Sequence, residues 1–417
     1  MSRTKSLLLG TALSMFAYSA QAADLDLPAD HESWTGFYVG AALGGGAAVA
    51  ELSTPLIGGG SSLDGLGGEG FLASAFVGYD YQINPDYVVG LMADFTASNI
   101  EADLNIPGAP FSASFTGDTN FSVLARVGRL ISANTMTYAL AGYTHQNFDL
   151  DTSIGFGADF DDGGLTIGGG VEHRMDNNWS IRLEHRTTYF GGFTAIPGAL
   201  EVDTTAHTIR LGMAYRWSDP DGIRPESDAM AVNWTGFHIG GGLGSTATIG
   251  EFNTPGVFTF NGIGGEGFQG GIHVGYDSQV NEEWVLGVEA RATLSNSEFE
   301  VTTGGATIFT IEQQPEFSIT ARAGYIAAPD TLLYGLAGYS WGEYEASIPG
   351  IGSVDLDFDG LTVGGGIEHA ITENWTSRLE YRYTHFGDED LFGVGINAKP
   401  STHAVMSSIS YRFNAEQ

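Results

Sequence analysis

Residues 374–387, NWTSRLEYRYTHFG, occur a second time in altered form at 178–191, NWSIRLEHRTTYFG. In the later copy Trp375, Leu379, Tyr381 and Tyr383 alternate with Thr376, Arg378, Glu380, Arg382 and Thr384, and Ser377 is the small residue on the apolar side. Successive side chains of a strand point to opposite faces, so the segment has one apolar and one charged face. A soluble sheet buries the apolar face in a core. The neighbouring segments point to the inverse, with apolar side chains outward into lipid and charges inward.

The duplication runs through the whole chain. Trp34-Thr35-Gly36-Phe37 returns as Trp234-Thr235-Gly236-Phe237, Gly68-Glu69-Gly70-Phe71 as Gly265-Glu266-Gly267-Phe268, and Leu140-Ala141-Gly142-Tyr143 as Leu336-Ala337-Gly338-Tyr339. The repeat unit, about 185 residues, is domain-sized and too long for a solenoid. The sequence therefore divides into a leader (1–22), repeat 1 (23–217), a linker (218–233) with two prolines and several acids, repeat 2 (234–413) and a short tail (414–417). In the leader, Arg3 and Lys5 precede an apolar run from Leu7 to Ala20, and Ala20-Gln21-Ala22 supplies a small-x-small cleavage pattern. That is the order of a Sec-type signal peptide.

Within repeat 1, eight alternating segments are predicted as strands: 35–47, 70–83, 87–99, 115–131, 135–148, 163–175, 178–190 and 205–217. Each is long enough for the roughly 9–11 residues that a tilted strand needs to cross a bilayer. Short polar turns (Asn84-Pro85-Asp86, Ser132-Ala133-Asn134, Asp176-Asn177) alternate with longer Gly-, Asp- or Pro-rich connections at 48–69, 100–114, 149–162 and 191–204. Short periplasmic turns and long outer loops mark bacterial outer-membrane barrels. An aromatic girdle at the periplasmic rim is predicted from Trp34, Tyr87, Trp179 and Trp217, repeated by Trp234, Trp284, Trp375 and Phe413. A soluble sandwich with scattered aromatics is the alternative, but leader, loop asymmetry and girdle all arise independently of one another.

Composition narrows the function. The 417 residues include 61 Gly, no Cys, 50 acidic and 16 basic residues, a formal charge of −34 that repels nucleic acid. Divalent cations at the acidic loops are the expected small partners. Disulfides and thiolate metal sites are impossible without cysteine. The strand phase sends a charged set into the interior: Asp94, Arg126, Glu172, Arg174, Arg182, Glu184, Arg186 and Arg210 in repeat 1, and Glu289, Arg291, Arg322, Glu368, Arg378, Glu380 and Arg382 in repeat 2. An Arg facing lipid at mid-depth costs roughly 2–4 kcal/mol, so the lumen is where these charges belong. An eight-stranded barrel is narrow enough for such a network to fill it, and a plug is expected over a gated ion path.

Other motifs carry less. The Gly triplets at 168–170 and 364–366 lack the helix and Lys of a phosphate loop and fit strand bends instead. His173, His207, His369 and His403 fall at matching strand positions without a nucleophile of telling spacing, and His145 and His385, predicted to be exposed, define no metal site. No catalytic residue, cofactor or metal ligand is assigned.

Trp34-Thr35-Gly36-Phe37-Tyr38, the run from Arg378 to Gly387 and the closing Tyr411-Arg412-Phe413 resemble the outer-membrane immunogenic protein family of alphaproteobacteria, whose members are porin-family, OmpA-like barrels of eight strands. The resemblance covers both repeats. It implies insertion by the barrel-assembly machinery among outer-membrane lipid and lipopolysaccharide, a contribution to envelope integrity, and surface loops that hosts recognise. Pore activity, haem binding and a lipid-modifying activity are lesser alternatives. Two features depart from the pattern: the family usually has one barrel per chain, and here Asn414 to Gln417 follow the terminal aromatic residue. The expected fold is all-β, with two eight-stranded up-and-down barrels in tandem; one sixteen-stranded barrel, a cation-favouring diffusion porin, is the alternative.

Overall fold

The computed structural model describes residues 32–55, 60–106, 111–153, 155, 157–175, 178–196, 200–225, 231–255, 258–391 and 395–414. The predicted leader lies outside the described residues, as do parts of the linker and most of the tail. Repeat 1 forms β1 (Gly36–Thr54), β2 (Ser61–Gln82), β3 (Tyr87–Ile106), β4 (Phe111–Ser132), β5 (Thr135–Thr152), β6 (Gly157–Arg174), β7 (Trp179–Phe190), the short β8 (Phe193–Ile196) and β9 (Leu200–Ser218). Repeat 2 forms β10 (Gly236–Thr254), β11 (Phe258–Gln279), β12 (Trp284–Ser295), β13 (Glu298–Thr303), β14 (Ala306–Ala328), β15 (Thr331–Ile348), β16 (Gly352–Ala370), β17 (Trp375–Phe386), the short β18 (Glu389–Leu391) and β19 (Ile396–Asn414).

Each repeat closes on itself. β1 pairs antiparallel with β2 and also with β9, from Gly36↔Ser218 to Ser53↔Glu201. β10 likewise pairs with β11 and with β19, from Gly236↔Asn414 to Asn253↔Asn397. β8 continues β7, β13 continues β12 and β18 continues β17, so each ring has eight strands. A sixteen-stranded ring would need β9 against β10 and β19 against β1; the two closures occupy those edges instead.

Of the predicted short turns, Asp176-Asn177 lies outside the described residues; the turn at Asn84 and its counterpart at Asn281 are built as their sequence requires. Asn84 Oδ1 accepts the backbone N–H groups of Asp86 and Tyr87, both at 2.9 Å, and Asn281 does the same for Glu283 and Trp284. On the other side the sequence expectation needs correction. Most of 48–69, 100–114, 149–162 and 191–204 is strand rather than loop, because the ladders run on beyond the membrane. At 22 residues, β2 and β4 are about twice the length that a bilayer crossing requires. The outer half of each barrel therefore extends past the length of a bilayer crossing as a β-walled rim.

Candidate functional site

The lumen of barrel 1 is layered. At its base Arg126 donates from Nε to Asp80 Oδ1 (2.8 Å) and from Nη1 to Glu172 Oε2 (2.9 Å). Arg216 bridges the same two carboxylates at 2.7 and 3.3 Å and donates to the carbonyl of Trp34 at 2.8 Å. Ser180 completes Glu172 at 2.7 Å. Barrel 2 repeats this layer: Arg322 binds Asp277 and Glu368 (both 2.8 Å), Arg412 binds Asp277 (2.7 Å), Glu368 (3.1 Å) and the carbonyl of Trp234 (2.8 Å), and Thr376 completes Glu368. Buried charges this closely paired satisfy one another, and removing one partner strands the rest.

Above the base the barrels diverge. In barrel 1, Arg186 joins Glu184 (2.6 Å) to Asp94 (2.7 Å), Arg210 adds to Asp94 at 3.3 Å, and Tyr138 donates to Glu184. Arg182 reaches no carboxylate there; its guanidinium lies 3.4 Å from the ring centroid of Phe76 and 3.3 Å from the sulfur of Met92. In barrel 2, Arg378, Arg382 and Arg291 converge on Glu289, and Arg382 and Arg291 also hold Glu380. Every lumen residue predicted from strand phase is buried and takes part in this layer or the base. Arg174 is the exception: it turns to the mouth, where it donates to the carbonyls of Glu32 and Ser33 and stacks on Trp34.

Sequence reasoning missed Asp80 and Asp277, and Arg216 and Arg412, which immediately precede Trp217 and Phe413. The signal was present, since Arg216 and Arg412 lie within the repeated Tyr-Arg-aromatic ends. Higher still, a belt of hydroxyls crosses β4 to β7 (Ser122–Thr144–Thr166–Thr188, 2.9, 2.5 and 2.9 Å). Aromatic layers then close the interior: Phe115, Phe148 and Phe190 in barrel 1, and Tyr344, Phe358 and Phe386 in barrel 2. Beside the charged layers the cavities measure about 30 and 20 Å³, room for one or two waters each.

The girdle needs a correction. Trp179, Trp217, Trp284, Trp375 and Phe413 are exposed on the outer wall at the periplasmic end, as is Tyr87. Trp34 and Trp234 are fully buried instead, closing the mouths beneath Arg216 and Arg412. They precede strand entry, where Gly36 and Gly236 adopt φ of +149° and +146° and redirect the chain. Phe37 and Phe237 take the girdle positions that the two tryptophans were expected to fill.

The outer walls hold the second element of the site. On β9 Leu211 is 56% exposed, as a lipid-facing residue should be, yet Ile209, on the same face, is 6% exposed. It packs with Val171 of its own barrel and Ile367, Leu379 and Val405 of the other. The contacts on either side are reciprocal. Thr135 meets Thr331 (3.4 Å), His173 donates to the carbonyl of Ala327 (3.2 Å), and His369 bonds the carbonyl of Ile131. His207 pairs with Glu266 and His403 with Glu69, each at 2.8 Å. At the rim a Cβ on Gly67 would stand 2.7 Å from the Cα of Gly264, and one on Gly264 would stand 2.8 Å from that of Gly67. Ser61–Asp64 of β2 pair with Thr303–Glu300 of β13, and Asp103–Asn105 of β3 with Asn261–Thr259 of β11. The barrels thus share a seam about a pseudo-twofold axis, made by one tilted stripe of wall used twice. The four histidines that the sequence left without a role all lie on it. By contrast, His145 stands beside Asp161 (3.7 Å) on the wall of barrel 1, and His385 lies beside Tyr383 (3.4 Å), whose ring packs on His403 of the seam.

The profile of the family described as the outer membrane protein β-barrel domain matches residues 9–216 and again 226–413. The chain belongs to that family. It is an integral protein of the bacterial outer membrane, set among the lipid and lipopolysaccharide of that membrane. It is similar to the 22 kDa outer membrane protein of Rhizobium leguminosarum bv. viciae, 35% identical over 162 residues, which are 38% of this chain and 68% of that protein. It is also similar to the 31 kDa outer-membrane immunogenic protein of Brucella melitensis, 26% identical over 245 residues, covering 51% of this chain and all of the relative. Among solved structures, the attachment invasion locus protein of Yersinia pestis aligns with 42% of this chain and 98% of its own, at 17% identity and a TM-score of 0.24.

Proposed function

We propose that this outer-membrane protein is a non-conducting envelope and surface protein: two plugged barrels that anchor a continuous β-walled rim outside the cell. The observation that carries this is the filling of both lumens, with a mouth tryptophan, two ion-paired layers and an aromatic layer in series. Such an interior gives neither an aqueous path nor space for a substrate, so the proposed role is structural and not catalytic. The names of the Brucella relatives, immunogenic outer-membrane proteins, agree with a rim exposed to host recognition. The barrel-assembly machinery would insert each closed ring, and divalent cations would be drawn to the acidic rim around Asp64, Glu266, Glu298 and Glu300.

The test is conductance. Full-length protein in planar bilayers should give no stepwise current at neutral pH. Steps of the size of a sixteen-stranded porin would overturn the proposal. On intact cells, antibodies against the 100–118 and 296–312 hairpins should bind.

A further inference from the structure

Between the base of barrel 2 and the charged layer above it stands a constellation that barrel 1 lacks among the described residues. His238, His273 and Glu289 are all buried, and one ligand atom from each lies within 4.8 Å of the other two. The registers show what stands at the same positions in barrel 1. His238 opposes Gly275 as Tyr38 opposes Gly78, His273 opposes Arg291 as Phe76 opposes Asp94, and Glu289 opposes Gly275 as Met92 opposes Gly78. Three members of an apolar cluster, Tyr38, Phe76 and Met92, are thus replaced together by two imidazoles and a carboxylate.

The imidazoles are not accounted for by hydrogen bonding. His238 is 0% exposed, and among the described residues neither of its ring nitrogens has a hydrogen-bond partner; the carboxylate oxygen of Asp277 is 3.6 Å away. His273 engages Ser410 through Nε2 at 2.9 Å, and its Nδ1 has no partner among the described residues. Buried polar atoms left this way call for an explanation, and an ion is one of the few available. Two imidazoles and a carboxylate are a donor set for zinc and neighbouring divalent transition metals.

We propose that His238, His273 and Glu289 form a binding site for one divalent transition-metal ion of the zinc type inside barrel 2. Bonds of about 2.0–2.1 Å bring tetrahedral ligands to roughly 3.4 Å from one another, so the three side chains close in by about 1 Å on loading. The arginines on Glu289 oppose a cation, and each has a second carboxylate: Arg291 and Arg382 already hold Glu380 at 2.6 and 2.7 Å. Arg378, which holds Glu289, also lies 3.3 Å from Glu368 and 3.8 Å from Glu380, and can turn to those carboxylates. Trp234 below and the aromatic layer above close the lumen, so the ion enters while the barrel folds.

The experiment uses the full-length chain without a histidine tag, refolded in detergent with zinc chloride, passed over a chelating resin and assayed for metal by mass spectrometry. The wild type should retain one zinc per chain more than His238→Tyr/His273→Phe/Glu289→Met, which installs the residues of barrel 1. Each refolded sample is checked by its heat-modifiable gel mobility. His145→Ala/His385→Ala should keep the wild-type stoichiometry. Should the triple variant fail to close, His273→Phe alone, expected to retain less than half the zinc, takes its place. Equal retention in the wild type and the lumen variant overturns the site, as does loss of the ion in the His145/His385 variant. Porin-like conductance would remove the proposed structural role and leave this site untouched.

Discussion

The two barrels agree at the base of the lumen and part company one layer above it. The base must close a mouth, and the solution is the same twice: an arginine bridging an aspartate and a glutamate, a second arginine shared with them, and a tryptophan beneath. Above it the same volume is filled with different charges in different pairs. Asp94 and Arg210 of barrel 1 give way to Arg291 and Met406, while Met92 gives way to Glu289. One carboxylate has moved by two residues along the strand, and the arginines have exchanged partners around it. A filled barrel fixes its ends more tightly than its middle.

That contrast can be broken by experiment. Arg126→Ala and Arg322→Ala each leave a buried aspartate and glutamate short of a partner and should destabilise their barrels by about 3–5 kcal/mol. Urea unfolding in detergent, followed by gel mobility, should give the same loss for both; a twofold disparity would end the equivalence of the bases. Next in size is the seam. Gly67→Val puts branched carbons against the Gly264 backbone, an overpacking of about 1–3 kcal/mol. Spin labels on the two rims should move apart, and an unchanged distance would rule out the close approach.

The rim should respond to pH. Burial, and then Glu51, Glu266, Glu298 and Glu300, push the carboxyl of Asp64 up to about 7. Its folded pKa lies above the unfolded one, so the folded state binds the extra proton. The stabilisation is full in acid and is lost as pH climbs through 7. Amide exchange in the β2–β13 ladder, corrected for intrinsic rates, should be slower at pH 5 than at pH 8, and Asp64→Asn should shrink the difference, leaving the part due to Glu298, whose carboxyl burial also raises. Identical protection at both pH values would contradict the shift.

The smallest effect separates the two mouths. Trp34 donates from Nε1 to the carbonyl of Ala133 at 3.1 Å, whereas Nε1 of Trp234 has no partner among the described residues. Trp34→Phe should cost about 1 kcal/mol, and Trp234→Phe should leave out that hydrogen-bond contribution. Comparable losses would mean that packing under the arginines, and not the hydrogen bond, sets the value of each tryptophan.

Much of this was legible in the chain. Period-2 alternation gave the strands and placed Arg182, Glu184 and Arg186 on the lumen face, because a pleated backbone leaves a side chain no third direction. The same rule could not place Trp34, since it precedes the strand and the glycine after it turns the backbone. Nor could it find Asp80 or Arg216 as partners, because they meet across the barrel from strands distant in sequence. His238 and His273 were passed over for another reason: each looks unremarkable alone, and their meaning comes from Tyr38 and Phe76 at the matching positions.

By itself, the sequence determined the duplication, the all-β class, the membrane-spanning alternation and the inward charges, all consequences of local geometry and of the cost of charge in lipid. Tertiary structure decided how the strands close, which arginine holds which carboxylate, and which outward residues meet a second barrel in place of lipid. Ile209 and Leu211 occupy the same face of the same strand, and alternation treats them alike. Only the position of the other wall tells them apart.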